Sequence, residues 1–539
     1  MGSTKDAMAR ARTVATEVFG HAALLPGQEE AIAAVLDGHD VLLVSPTGSG
    51  KSLTYQVAGT LLDGCTVVVS PLLALQHDQI RSLEETDAPR GARISSEETE
   101  AQKDAALGDA ESGAVEFLFV APEQLANPDT RTRLGRLRPG LVAVDEAHCV
   151  SSWGHDFRPD YRRLGELIGE LGSPRVVAMT ATAAPPVRTD IVESLSLRDH
   201  VEVVTGFARD NIDLAVRHCA DAERQRELVL EVVDGCAGPG ILYCRTRRST
   251  EEYAEALAAR GIRVAAYHAG LGKRRRAAAH DAFLSGAVDV MVATSAFGMG
   301  IDKPDIRYVL HAQVPDSPDT YYQEVGRAGR DGEPAAGILA YRPEDLALGR
   351  FFTGGVPGRE DVAAVLQALG GGKVDRVRLR ETTGIGPRRL ERILNLRQEV
   401  RDSGPGPGDD DGEGLVDAVL SRAESHRALE RSRVEMMRGY AETGRCRTDF
   451  LLAYFGETAP TPCGHCDNCR SGSAQEAVAE SRETPGGLVP DARVQHPTFG
   501  SGVVTDVEID RVTVLFDEVG YRTLAVDVVE SADLLEPVD

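Results

Sequence analysis

Two tandem α/β domains on parallel sheets, then a helical cysteine-bearing segment and a small β module, are the architecture this sequence predicts. Three observations predict it. Short apolar runs recur up to about residue 341, each ending in a polar or Gly-containing turn and separated by helical patterns. Beyond residue 350 the texture becomes helical and rich in Arg, closing on four crowded cysteines. The last fifty or so residues alternate apolar and polar positions between short turns.

The first set of runs is DVLLVSP (40–46), CTVVVSP (65–71), FLFVAP (117–122), LVAVDE (141–146) and RVVAMTAT (175–182). The second is GILYC (240–244), RVAAYH (263–268), VDVMVAT (288–294), IRYVLH (306–311) and AGILAY (336–341). Runs without alternation read as strands buried on both faces, which is the condition of a parallel sheet. The two domains are expected over 1–205 and 206–350, with chemistry just beyond the carboxyl ends of the strands. Residues 351–401 read as a helical insertion, in which TTGIGPRRLERIL has the look of a helix-turn-helix or hairpin element. DSGPGPGDDDGEG makes 402–414 a linker by composition, and 415–470 reads as a helical hairpin leading into the cysteines. SGSAQEAVAESRETPGG (471–487) reads as a second linker, and 488–539 as a small β-barrel.

With 42% hydrophobic and 27% charged residues, the 539-residue composition is that of a globular protein of several domains. No apolar run approaches the ~18 residues of a membrane span, so no membrane association is expected. The N-terminus lacks the apolar region of a secretory signal, which makes the cytoplasm the expected compartment. A net charge of −25 argues against a protein that coats nucleic acid through its whole surface. Local basic tracks remain, as KRRR (273–276), KVDRVRLR (373–380) and PRRLER (387–392).

SPTGSGKS (45–52) follows one buried strand and precedes a helical pattern. The backbone N–H groups of Thr47, Gly48, Ser49 and Gly50 would cradle phosphates, with Lys51 reaching the β- and γ-phosphates of ATP and Ser52 holding Mg²⁺. Its first position is Ser45 where the strict pattern has Gly, so an ordinary Gly-rich turn is the rival reading. Asp145 and Glu146, at the end of another strand, argue against that rival. Asp145 suits the second Mg²⁺ contact and Glu146 the attacking water. Arg327 and Arg330 in YYQEVGRAGRDG supply positive charge from the second domain. If ATP sits between the domains, hydrolysis and closure become one event.

Eight residues after Asp145 stands Trp153, the only tryptophan, in a loop reading SSWGHDFRPDY. Aromatic and guanidinium planes in a polar loop suit stacking on bases without sequence preference, at roughly 1–3 kcal/mol per base. Cys446, Cys463, Cys466 and Cys469 have spacings that suit a closed four-thiolate Zn²⁺ site; an iron–sulfur cluster or free thiols are the alternatives.

Taken together, FGHAALLPGQEEAI, SPTGSGKS, VVVSPLLALQHDQI, DEAHCVSSWGHDFRPDY, MTATA, ATSAFGMGIDKPDIRYVLH and YYQEVGRAGRDG resemble the RecQ family of superfamily 2 helicases, over about residues 19–342. The resemblance implies two RecA-like domains and an ATP-dependent DNA helicase moving 3′ to 5′, acting in recombination and repair and associated with the nucleoid. It implies Gln28 as adenine contact, Thr180 and Thr182 as interdomain couplers, and Asp302 at the junction of nucleotide and DNA. Gln323, Arg327 and Arg330 would then meet the γ-phosphate. WGHDFRP resembles the family's DNA-sensing loop, which assigns DNA coupling to Trp153, His155, Phe157 and Arg158, with His148 beside the acidic pair. CRTDFLLAYFGE and PCGHCDNC resemble the family's zinc subdomain, which favours Zn²⁺ and leaves His465 outside the ligand set. The partners so implied are single-stranded DNA and tailed or forked duplexes.

Two departures stand out. Where the family commonly continues into a winged helix, this sequence continues into an acidic linker, so the strand-separating wedge is open and 359–400 is its candidate. The tail resembles the Tudor-like barrel of some UvrD-type helicases; residues 471–539 hold 14 acidic residues against four Arg, which points to a protein partner, RNA polymerase being the candidate. An RNA helicase and a nucleotide-switched adaptor that does not unwind are the rival functions.

Overall fold

The computed structural model describes residues 4–538 apart from 72, 85–87, 152–157, 159–160, 162–163, 299–302, 348–354, 370–374, 403–411, 458–461, 481–487, 490–491, 508–510, 518 and 533. Trp153, His155, Phe157 and Asp302 therefore lie outside the described residues, as do 403–411 and 481–487 of the expected linkers. The chain divides into two units, Met1–Arg342 with Thr443–Ala477, and Pro343–Glu442 with Val478–Asp539.

In the first unit the apolar runs become strands. β1 (Val41–Val44), β2 (Thr66–Val69), β3 (Gly91–Ile94), β4 (Phe117–Val120), β5 (Leu141–Val144), β6 (Arg175–Thr180) and β7 (Val201–Val204) form a sheet ordered β3-β4-β2-β5-β6-β1-β7. All its pairings are parallel. The core under it packs Val41, Leu43, Tyr55, Phe117, Phe119 and Met179. A second parallel sheet follows: β8 (Ile212–His218), β9 (Gly240–Tyr243), β10 (Val264–Tyr267), β11 (Val290–Ala293), β12 (Tyr308–His311) and β13 (Ala335–Tyr341), ordered β10-β11-β9-β12-β13-β8. The apolar-run reading leaves out β3, β7 and β8, and these are edge strands. An edge strand is covered less completely, so GARI, VEVV and IDLAVRH carry polar residues that break the run.

In the second unit, helices Arg359–Leu369, Arg376–Thr383, Pro387–Asp402 and Gly412–Glu442 share a core of Val362, Val365, Leu379, Leu390, Ile393 and Val419. The 31-residue helix Gly412–Glu442, which the sequence reading joined to the cysteines, packs against Arg359–Leu369 and Pro387–Asp402. Buried Glu399 accepts from Arg422 at 2.9 Å and lies 3.0 Å from His426.

The tail forms β14 (Arg493–His496), β15 (Gly500–Val507), β16 (Arg511–Phe516), β17 (Gly520–Ala525) and β18 (Glu536–Pro537). The expected barrel is, among the described residues, an antiparallel sheet ordered β17-β16-β15-β14-β18 around Val494, Val504, Val512, Val514 and Phe516. Residues Ser473–Glu480, within the stretch read as a linker, are helical. β17 packs on helix Gly412–Glu442. A Cβ on Gly520 (φ 74°) would fall 2.5 Å from Ser432 Oγ and 3.1 Å from Leu429. No helix among the described residues is long and apolar enough to cross a membrane.

Candidate nucleotide site and zinc centre

β1 delivers the chain into the loop at Ser45, and helix Ser52–Leu61 leaves it. Gly48 (φ 83°) and Gly50 (φ 69°) take the left-handed turns that bring backbone N–H groups together, a conformation costly for any other residue. Lys51 is half-buried, and its ammonium donates to the carbonyls of Ser45 at 2.9 Å and Pro46 at 3.1 Å. Burial lowers its pKa against the pull of Glu146 and Asp145, and the charge of Arg330 lowers it further. Ser45, the departure from the strict pattern, has a structural part: its hydroxyl donates to Ser49 Oγ at 2.7 Å and accepts from Thr205 Oγ1 at 2.8 Å.

The loop forms one wall of a cleft of about 570 Å³ between the ends of the two sheets. Gln28 and Leu25 line it from the first domain, and Arg209, Asn211 and Arg330 from the second. The Gln28 side chain is committed to the loop: its amide donates to Ser49 O at 2.9 Å and Gly50 O at 3.0 Å, and its oxygen accepts from the Leu25 N–H at 2.9 Å. Leu25 is 52% exposed at the rim. Arg327 is placed differently from Arg330. It is buried beside Tyr243 and, among the described residues, is not part of the lining.

Asp145 accepts from the Ser70 hydroxyl at 3.3 Å and from the Glu146 N–H at 3.0 Å. Burial, then the neighbouring Glu146, push its carboxyl up to about 7. A dication held between Asp145 and Ser52 would reverse that, which is the fit expected of Mg²⁺ beside a phosphate loop. Glu146 sits at φ 49°, and its Oε2 is buried without a hydrogen bond, 3.3 Å from His148 Nδ1. From there a polar chain crosses the cleft. His148 Nδ1 lies 2.9 Å from Thr180 Oγ1, which donates to Thr182 O at 3.0 Å. The Gln323 amide, from the second domain, donates to Thr182 Oγ1 at 3.0 Å.

Two described residues that follow Trp153 in the chain, Arg158 and Tyr161, are held near the acidic pair. Arg158 donates its N–H to Cys149 O at 2.9 Å and its guanidinium to Pro71 O at 3.1 Å. The Tyr161 hydroxyl donates to the Asp145 carbonyl at 3.2 Å. Tyr161, Ser70, Thr205 and Arg209 escaped the sequence reading of the site. Each touches the chemistry through a backbone carbonyl or another side chain, which leaves no spacing signal in the chain.

The four cysteine sulfurs lie within 4.8 Å of one another. Cys463 and Cys469 Sγ are 3.9 Å apart. A tetrahedron with Zn–S bonds of about 2.3 Å has edges of about 3.8 Å, so the donor set fits zinc. Backbone N–H groups of Cys463, Arg447, Cys469 and Cys466 point at the Cys446, Cys466 and Cys463 sulfurs at 3.3–3.5 Å, supplying the outer hydrogen bonds that thiolate ligands need. His465 turns away, its Nδ1 3.0 Å from Asp213 Oδ1 on β8, in line with its exclusion from the ligands.

Three family models match the chain: DEAD/DEAH box helicase over residues 25–190, helicase conserved C-terminal domain over 225–332, and RecQ zinc-binding over 409–470. Among curated relatives, "Probable ATP-dependent DNA helicase RecS" of Bacillus subtilis (strain 168) is 34% identical over 462 residues, covering 84% of this chain and 90% of the relative. "ATP-dependent DNA helicase RecQ" of the same organism is 33% identical over 477 residues, covering 88% and 69%. Among solved structures, helicase Lhr of Mycobacterium smegmatis, bound to ssDNA and AMP-PNP, has a TM-score of 0.51 at 21% identity, covering 95% of this chain and 78% of that one; it bears on the fold alone.

Proposed function

This chain belongs to the RecQ family of ATP-dependent DNA helicases, and we propose that its cleft binds ATP with the adenine near Gln28 and Leu25 and the phosphates on the loop 47–52. ATP binding would draw Lys51 off the Ser45 and Pro46 carbonyls onto the β- and γ-phosphates. Mg²⁺, when bound through Ser52 and Asp145, neutralises charge on the phosphate oxygens. Glu146 orients the attacking water and takes its proton at Oε2, the oxygen without a hydrogen bond. Arg330 faces the developing charge from the second domain, and Arg327 reaches it only after a shift from its place beside Tyr243.

The observation that carries this reading is the polar chain from Glu146 through His148, Thr180 and Thr182 to Gln323. It joins the group that positions water to the domain that must move. DNA arriving at Trp153, His155, Phe157 and Arg158 would pull on the same pair through Tyr161 and the Asp145 carbonyl. The protein then moves 3′ to 5′ along single-stranded DNA and opens tailed or forked duplexes in recombination and repair at the nucleoid.

For the wedge we take residues 359–400. Arg378, Arg380 and Arg388 are exposed around the turn between helices Arg376–Thr383 and Pro387–Asp402, the charge that strand phosphates would meet. The acidic tail is assigned to a protein partner, RNA polymerase being the candidate. Unwinding of 3′-tailed against 5′-tailed DNA duplexes with ATP tests the reading. Opening of the 3′-tailed substrate alone is expected, and ATP hydrolysis without opening of either would favour a nucleotide-switched adaptor.

A further inference from the structure

Residues 205–211 join the two sheets, and they touch the nucleotide machinery at both ends. At one end the Thr205 hydroxyl reaches the phosphate loop through Ser45 and Ser49. At the other, the Arg209 guanidinium donates to the carbonyls of Gly326, Ala328 and Gly329 at 3.0–3.1 Å, holding the turn that carries Arg330. Midway stands Phe207, only 2% exposed.

Phe207 is gripped by a segment more than 240 residues away in sequence, Tyr454–Glu457, which lies between the first and second zinc ligands. Its N–H donates to Glu457 Oε2 at 2.9 Å. Its ring stacks on Phe455, centroids 4.4 Å apart and planes 14° from parallel. The same four residues hold both domains. Arg188, on helix Pro185–Leu195 of the first, donates to the Phe455 carbonyl at 2.8 Å. The Tyr454 hydroxyl donates to Asp319 Oδ2 at 2.5 Å, on helix Pro318–Val325 of the second. Gly456 (φ 76°) passes so close to Pro185 that a Cβ would lie 2.6 Å from its Cγ, so both backbone and space demand glycine. The cysteine centre is itself tied to the second sheet, for the Val216 N–H of β8 donates to Asp467 Oδ2 at 2.8 Å and Arg447 donates to Asp467 Oδ1 at 3.0 Å.

We propose that Tyr454–Glu457 is an interdomain brace, a set of positioning residues through which the zinc module governs the rate of ATP hydrolysis. Cleft closure turns the chain about residues 205–209. Stacking and a charge-assisted hydrogen bond at Phe207 restrict that turn to one path. That path decides where Arg330 arrives relative to the phosphate loop. A misplacement of about 1 Å at such a group costs up to about 10²-fold in rate. ATP itself is held chiefly by the first domain, so a loosened brace lowers turnover more than it weakens nucleotide binding.

The inference rests on the cleft being the ATP site, and the experiment separates the two. ATP turnover at saturating single-stranded DNA is measured for the full chain and for Glu457→Ala, Glu457→Gln and Tyr454→Phe, with zinc content determined in each. Glu457→Ala is expected to lower kcat about tenfold with KM for ATP within about twofold and zinc unchanged. Glu457→Gln, whose side-chain oxygen still accepts from the Phe207 N–H, should return to within about threefold of the parent. Tyr454→Phe, losing only the bond to Asp319, should lose about threefold. A normal kcat in Glu457→Ala with zinc retained overturns the brace, and so does a KM that rises by the same factor as kcat falls. Should Glu457→Ala lose zinc, a normal kcat in Tyr454→Phe overturns it. A parent protein that hydrolyses no ATP refutes the cleft assignment, and the brace with it.

Discussion

The candidate nucleotide cleft and the cysteine centre are each suited to an ion, and they are built differently. The cleft draws its lining from Gln28, Lys51, Arg209 and Arg330, far apart in the chain and carried by two sheets. The cysteine centre takes its four sulfurs from residues 446–469. In the cleft, polar groups hold provisional partners: Lys51 grips its own loop, and Glu146 Oε2 has no hydrogen bond. In the cysteine centre the sulfurs are already fixed by backbone N–H groups. A site that turns over needs partners it can exchange, and a site that holds the fold together needs partners it keeps.

Lys51→Ala is the hardest blow to that contrast. Removing the one ammonium at the phosphates should cut ATP turnover by at least about 10²-fold while zinc content and thermal midpoint hold. Loss of zinc in that variant would mean that the two sites are not independent. Cys466→Ser should do the reverse of a clean catalytic defect, giving substoichiometric zinc and rapid limited proteolysis, because the metal contributes directly to folding. Metal analysis of the parent protein reading iron in place of zinc would break the fit to the sulfur tetrahedron.

His148→Ala interrupts the polar chain without touching phosphate or metal. DNA-stimulated ATP hydrolysis should fall about tenfold, and basal hydrolysis by less. Equal loss in both rates would make His148 a packing residue. The smallest effect on either site is expected from Gly520→Val, in the second unit. The left-handed φ and the approach to Ser432 Oγ should cost about 1–3 kcal/mol of stability, visible as an earlier urea transition. ATP turnover below the transition should be unchanged, and a fall there would tie the tail to the motor.

The Gly-rich phosphate loop, the acidic pair at a strand end and the clustered cysteines could be read from the chain, since local backbone geometry and ligand spacing put each functional atom next to its neighbours in sequence. Central strands such as VLLV and LVAV could be read for a related reason: burial on both faces leaves an unbroken apolar run. The edge strands β3, β7 and β8 could not, because one side of an edge is free to be polar. Nor could the partition of the two arginines, three residues apart in sequence, one lining the cleft and the other buried beside Tyr243. The contacts of Thr205 with Ser45, Tyr161 with Asp145, Phe207 with Glu457 and Gly520 with Ser432 were decided by tertiary structure alone. Each is a single hydrogen bond or close approach between segments that come together only when the sheets and helices have packed. Such a contact repeats with no period and obeys no spacing, so the sequence determined which groups this protein owns, and folding decided which of them meet.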